Sequence, residues 1–169
     1  TFLRSVPPNE QNHFKGETLE VDFNEIISVS NPKEQILITP TIGKDYKVEV
    51  RQRSVLLTFN AELKDSTTYT FNFRESVADI TEKNPAVNLK VAFSTGTYID
   101  SLSIAGTVFT MMNRKAAKDI TVALQPYSDT FNITKHPATY LTKTDLEGKY
   151  KLENLKPGLY HLYAIADQN

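Results

Sequence analysis

The sequence predicts an all-β chain folded as two tandem antiparallel β-sandwiches, and four observations carry that expectation. Apolar side chains recur at every second position in short runs, the period of a half-buried strand, because successive side chains leave opposite faces. Clusters of Pro, Gly, Asn, Asp and Ser separate the runs, as in antiparallel sheets joined by turns. Helical periodicity is nearly absent; only residues 76–81 could hold a turn of helix. Finally, the alternation breaks off at Ser94-Thr95-Gly96, after Val91 and Phe93, and resumes at Leu102, Ile104 and Val108. The chain is therefore read as a domain at residues 1–97, a short linker at 98–100 and a second domain at 101–169. Tyr98 and Ile99 are apolar enough to be buried at this junction, so a stiff, fixed angle is expected instead of a tether.

Residues 3–6 form a first short strand, stopped by Pro7-Pro8, and a polar loop runs on through Lys15-Gly16. Residues 18–23 alternate strictly, with Leu19, Val21 and Phe23 on one face, until Asn24-Glu25 ends the run. Residues 36–39 before Pro40 are a third strand; Tyr46, Val48 and Val50 mark a fourth, and Val55, Leu57 and Phe59 a fifth. Tyr69, Phe71 and Phe73 give the clearest alternation, and Val87, Leu89, Val91 and Phe93 repeat it as a seventh strand. In the second domain, strands are expected at 102–108, 118–124, 140–144, 150–152 and 159–165, with an extended polar loop over 125–137. Asp145 and Gly148 suit the first and fourth positions of a tight turn, and Pro157-Gly158 suits another, since Gly takes positive φ without steric cost. The last strand is apolar on both faces, as expected for a central position under cover.

Bulk properties exclude several classes. A length of 169 residues with 40% hydrophobic and 23% charged content fits one large or two small globular domains, not a disordered chain. The formal net charge of −1 supplies no basic field for nucleic acid. No apolar run approaches the roughly 20 residues of a membrane-spanning helix. The absence of cysteine removes disulfides, thiolate metal sites and thiol catalysis together. The chain starts at Thr1 without methionine or signal peptide and is read as an internal piece of a longer protein.

Motif order then suggests relatives. Phe14-Lys15-Gly16, Val21-Asp22-Phe23-Asn24-Glu25, Ile36-Leu37-Ile38-Thr39-Pro40, Thr67-Thr68-Tyr69-Thr70-Phe71-Asn72-Phe73 and Ala92-Phe93-Ser94-Thr95-Gly96 together resemble bacterial Ig-like domains of the S-layer-protein type, frequent in Bacteroidota envelope lipoproteins. In Thr81-Glu82-Lys83-Asn84-Pro85 the chain departs from that pattern, with Lys83 where such domains often have Gly, which leaves that turn open to another conformation. Leu63 and Tyr69, six positions apart, resemble a tyrosine corner, whose hydroxyl bonds back to the backbone of the preceding turn; an ordinary core tyrosine is the alternative. In the second domain, Ile104-x-Gly106-x-Val108, Val122-x-Leu124, Thr142-Lys143-Thr144-Asp145-x-x-Gly148-x-Tyr150-x-Leu152 and Leu155-Lys156-Pro157-Gly158-x-Tyr160 resemble the carboxypeptidase-regulatory-like, or transthyretin-like, module. Modules of that kind have about seven strands against five here, so the second sandwich is expected to be truncated. The resemblance implies a stalk, spacer or binding accessory, and neither family supplies a catalytic set.

No catalytic or cofactor-binding residues emerge from the residue pattern. His13, His136 and His161 are far apart, without ligand spacing, and read as core or partly exposed histidines. Glu17, Glu20, Asp22 and Glu25 read as a solvated strand face, and Asp79 and Glu82 lack the dense oxygen ladder of a calcium loop. Asp167 and Asn169 resemble the start of a D-x-N-x-N loop and are the one Ca²⁺ candidate; no other cofactor is expected. Ser66 and Ser101, in Asp65-Ser66-Thr67 and Asp100-Ser101-Leu102, resemble O-glycosylation sites of Bacteroidota envelope proteins. Among the aromatics, Tyr127, Phe131, Tyr140 and Tyr163 are not clearly core, and Tyr127 and Tyr140 are the candidate ligand contacts, since exposed rings can stack on sugars. The expected function is a non-enzymatic envelope module, a spacer or scaffold of a lipid-anchored surface protein at the periplasm or outer membrane; the alternative is a carbohydrate- or protein-binding accessory. A monomer with a protein or glycan partner at the cell surface, and no nucleic acid, completes the expectation.

Overall fold

In the computed structural model, which describes residues 1–166 apart from 44, 134 and 136, the alternating runs become antiparallel strands and the fold is all-β. The chain divides into two units, one of Thr1–Ile38 with Ile42–Ile99, the other from Asp100 onward with Thr39–Thr41. In the first, β1 (Phe2–Val6), β2 (Thr18–Phe23), β5 (Tyr46–Val50) and β6 (Ser54–Phe59) make one sheet in the order β1-β2-β6-β5. A second sheet takes β4 (Leu37–Thr39), β7 (Thr68–Arg74) and β9 (Leu89–Ser94) in the order β4-β7-β9. Two three-residue strands, β3 (Ile27–Val29) and β8 (Val77–Asp79), pair with each other, and a single helical turn, α1, occupies Pro32–Gln35.

The periodicity explains the packing. In β2 every second side chain is buried, and these join the buried face of β6 (Val55, Leu57, Phe59) in one apolar cluster with Tyr69, Phe71, Phe73, Val91 and Phe93 of the other sheet. Tyr69 lies opposite Phe93 and Phe71 opposite Val91 in the β7–β9 register, so the large rings of both strands reach the same side. Each such ring contributes about 1.5–3 kcal/mol by leaving water. The Tyr69 hydroxyl accepts a hydrogen bond from the Lys64 backbone N–H at 2.9 Å, the geometry of a tyrosine corner. Replacing Tyr69 with Phe removes the partner of that part-buried N–H and is expected to destabilise the protein by about 1 kcal/mol in urea unfolding; an unchanged midpoint would show that the hydroxyl is merely accommodated.

Four expectations are corrected here. The helical turn falls at Pro32–Gln35, where Pro32 supplies a preset φ at the first turn, while residues 77–79 of the stretch read as helical form β8. Both β3 and β8 are too short for a period-2 pattern to register. Val87, read as the first alternating residue of the seventh strand, is 74% exposed, because β9 begins only at Leu89. Tyr98, read as buried, is 63% exposed. Lys83 nonetheless takes φ 58, the left-handed conformation that glycine favours, so the turn keeps its hand.

In the second unit, β10 (Leu102–Thr107) pairs with β13 (Lys149–Leu155), and a three-stranded sheet runs β12-β11-β14, with β11 at Thr121–Pro126, β12 at Tyr140–Lys143 and β14 at Tyr160–Ile165. Its buried cluster is small: Leu124, Tyr140, Leu152 and Leu155, with Ile104 and Tyr160 packed against them. β14 is an edge strand of the described residues, with Leu162 50% exposed, correcting its reading as a central strand. Gly106 lies opposite Tyr150, and a β-carbon there would stand 2.7 Å from the tyrosine Oη, so only glycine lets that ring lie across the strand.

Candidate functional site

Most polar residues singled out by the sequence hold main chain in place. The Asp145 carboxylate accepts from the Glu147 and Lys149 backbone N–H groups at 2.8 and 2.9 Å, and Gly148 closes the turn with its N–H on the Asp145 carbonyl at 3.0 Å. Asp79 accepts from the Glu82 and Asn84 backbone N–H groups, and the Glu82 contact leads in holding its carboxyl below the usual aspartate range. Thr95 Oγ1 accepts from the Thr67 N–H and donates to the Lys64 carbonyl at 2.7 Å, tying the end of β9 to the turn before β7. Gly96 belongs to the same closure, since a β-carbon there would lie 2.9 Å from Ser66 Cα.

The acidic face of β2 is likewise engaged. Asp22 pairs with Arg4 at 2.8 Å, while Glu20 meets Arg51 at 3.4 Å and Ser54 Oγ at 3.2 Å. Among the described residues no three His, Asp or Glu side chains converge as a metal site, and no helix is long and apolar enough to cross a membrane. The Ca²⁺ candidates Asp167 and Asn169, and His136, lie outside the described residues. Ser66 and Ser101 are both exposed, so either hydroxyl is open to modification. An open cleft of about 520 Å³ in the first unit, which the sequence did not signal, has Phe23, Ile27, Val77, Leu89, Glu25 and Asp79 among its walls.

The aromatic candidates separate. Tyr127 is 56% exposed, and one face of its ring stacks on His161 with centroids 4.9 Å apart. Phe131 also stacks on His161, at 4.5 Å, and leans on Tyr163 at 5.6 Å. The Tyr127 hydroxyl bonds Asp129 at 2.8 Å and its N–H bonds the Leu159 carbonyl at 2.9 Å, so both ends of the residue are held. His161 Nε2 faces the Ser128 N–H and carbonyl. A flat, presented ring braced from behind is an arrangement that can stack on an apolar sugar face.

Tyr140, the other candidate contact, is corrected: it is only 4% exposed, opposite fully buried Leu124 in the register and edge-on to Tyr160 at 5.9 Å. Burial pushes its phenol up to about 12, against a smaller opposing effect of the Lys156 backbone. A folded-state value above the ordinary 10.0 means that the native protein holds this proton more tightly than the unfolded chain does. Its stabilising effect is therefore full below pH 10 and is lost as pH rises through about 12. Urea midpoints across that window are expected to fall, and to fall less steeply in Tyr140→Phe; parallel curves would place the alkaline sensitivity elsewhere.

Residues 1–95 match the bacterial Ig-like domain family. No curated protein matches the chain. Among solved structures, the chain is similar to the N-terminal part of the bacterial S-layer protein SbsC, at 19% identity and a TM-score of 0.38, over 93% of this chain and 32% of that one. The chain thus spans about a third of that protein's crystallised length.

Proposed function

The chain belongs to the bacterial Ig-like domain family through residues 1–95, and from that membership we propose that it is a non-enzymatic structural module of the bacterial cell envelope. It acts as a spacer or scaffold within a larger surface lipoprotein, anchored through a residue outside positions 1–169, of the kind found in Bacteroidota. Residues 101–169 serve as a transthyretin-like module in tandem with the first. The family match carries this reading, and the use of Asp79, Thr95 and Asp145 as main-chain supports agrees with it. Fractionation of cells expressing the intact gene product tests it. Recovery in the membrane fraction, released by detergent, is expected; recovery with the soluble cytoplasm would overturn it.

Tyr127 favours a second reading, a carbohydrate- or protein-binding accessory, since its ring is presented and braced. Glycan-array binding that disappears in Tyr127→Ala would promote this reading over the first. Glycans on Ser66 and Ser101 would shield exposed backbone in either case, and intact mass of the native protein detects them. Calorimetry on a longer chain tests Ca²⁺ at Asp167 and Asn169.

A further inference from the structure

The loop between β10 and β11 folds into a tight hairpin. Phe109 bridges Ala116 as an antiparallel pair, the Ala117 N–H donates to the Val108 carbonyl at 3.0 Å, and the Thr110 N–H donates to the Lys115 carbonyl at 3.0 Å. The Arg114 N–H returns to the Thr110 carbonyl at 2.9 Å, while Asn113 Oδ1 accepts from the Lys115 N–H at 3.0 Å and from the Thr110 hydroxyl. This small hydrogen-bonded frame holds an apolar tip out in water: Met111 is 98% exposed, Met112 99% and Phe109 58%. Leu146, 75% exposed, sits in the neighbouring turn, which the base of the hairpin grips through the Val108 N–H on the Gly148 carbonyl at 2.8 Å. Soluble surfaces scatter apolar side chains singly; several presented together at one end mark a contact surface.

The charges around the tip identify the kind of surface. Arg114 and Lys115 follow the methionines on the returning side of the hairpin, and neither pairs with a carboxylate among the described residues. The nearby acidic groups are engaged: Glu147 pairs with Lys149, Asp119 with Lys118 at 3.6 Å, and Asp145 accepts two backbone N–H groups. Arg114 and Lys115 are thus left as two cations with no carboxylate partner among the described residues, next to a convex apolar tip. A protein partner would need a matching concavity, whereas a bilayer interface accepts a convex apolar tip and adds anionic headgroups for the cations. We propose that the 109–115 hairpin, with Leu146 beside it, docks onto an anionic phospholipid bilayer surface, Phe109, Met111 and Met112 entering the headgroup region while Arg114 and Lys115 contact the phosphates.

This does not depend on the envelope assignment, because vesicle binding reads the surface chemistry and cell fractionation reads the location. The test is co-sedimentation of the full chain with phosphatidylcholine vesicles with or without phosphatidylglycerol. Binding is expected to the anionic vesicles, to weaken with added salt, and to fall about fivefold for each cation removed in Arg114→Gln and Lys115→Gln. Met111→Asp with Met112→Asp is expected to abolish binding without moving the melting temperature, since neither side chain is packed. No binding by the wild-type chain, or binding that the methionine substitutions leave unchanged, would overturn the proposal. So would a wild-type dimer in solution that the same substitutions dissociate, which would assign the tip to a second copy of the chain.

Discussion

Replacing Phe93 with alanine is expected to destabilise the first unit by about 3–5 kcal/mol, the largest loss from any single side chain in it. The ring is fully buried and is the meeting point of the aromatic core. Its centroid lies 4.2 Å from Phe14, 5.3 Å from Phe71, 6.2 Å from Tyr69 and 6.3 Å from Phe59. Truncation removes the transfer free energy of the ring and leaves a cavity whose walls come from both sheets and from the loop that carries Phe14. That cavity cannot close easily, because Phe14 is itself wedged over Gly16, where a β-carbon would lie 2.8 Å from the ring. A loss of this size is a large share of the roughly 5–15 kcal/mol that holds a typical domain folded. Urea unfolding followed by circular dichroism measures it, with Val87→Ala as the control, expected near zero because Val87 is largely exposed. If Phe93→Ala shifted the curve no further than that control, the aromatic cluster would not be what holds the unit together.

Where a strand is half-buried and longer than a few residues, the sequence discloses it. β2, β6 and β7 lie where alternation places them, because each has one face in the shared core and alternates are forced apart by the pleat. The tyrosine corner was legible for the same reason, a fixed spacing from Leu63 to Tyr69 across one turn. Three-residue strands such as β3 are illegible, since their pairing with β8 depends on chain brought from fifty residues away.

β14 shows a subtler failure. Its apolar residues on both faces suggested cover by two layers, but one side meets the rings of Tyr127 and Phe131 through His161 and Leu162 stays half exposed. An apolar run reports contact with something apolar, not which element supplies it. Tyr140 was misread as accessible because it follows a polar loop, whereas its cross-strand partner Leu124 sets which face it takes. The exposed hairpin tip at Met111 and Met112 gave no signal in the sequence at all, since two methionines in a polar stretch look the same whether packed or presented.

Gly148→Ala is expected to destabilise the second unit by about 2–4 kcal/mol, from two effects that add. The residue sits at φ 72, where an L side chain costs about 1–2 kcal/mol. A β-carbon there would also stand 2.5 Å from the Val108 carbonyl oxygen and 3.0 Å from the Ala117 nitrogen, both backbone atoms that move only by breaking their own pairing. Those two atoms bond each other at the base of the 109–115 hairpin, and the N–H of the same Val108 donates to the Gly148 carbonyl, so the strain falls on the Ala117–Val108 and Val108–Gly148 hydrogen bonds together. The core cluster beneath is small, Leu124, Tyr140, Leu152 and Leu155, with Val122 and Ala123 also buried on β11, so the unit has little core to offset such a loss. Gly158→Ala is the matched control, because its nearest neighbour would be 3.6 Å away, an ordinary contact, and it has no positive φ. Hydrogen exchange on the full chain separates the two substitutions by location. Gly148→Ala is expected to strip protection from β10 and β13 while β7 and β9 keep theirs, and Gly158→Ala to leave both sets protected. Equal protection in the two variants would mean that the turn tolerates a side chain and that the close approach of Val108 is not a constraint on the fold.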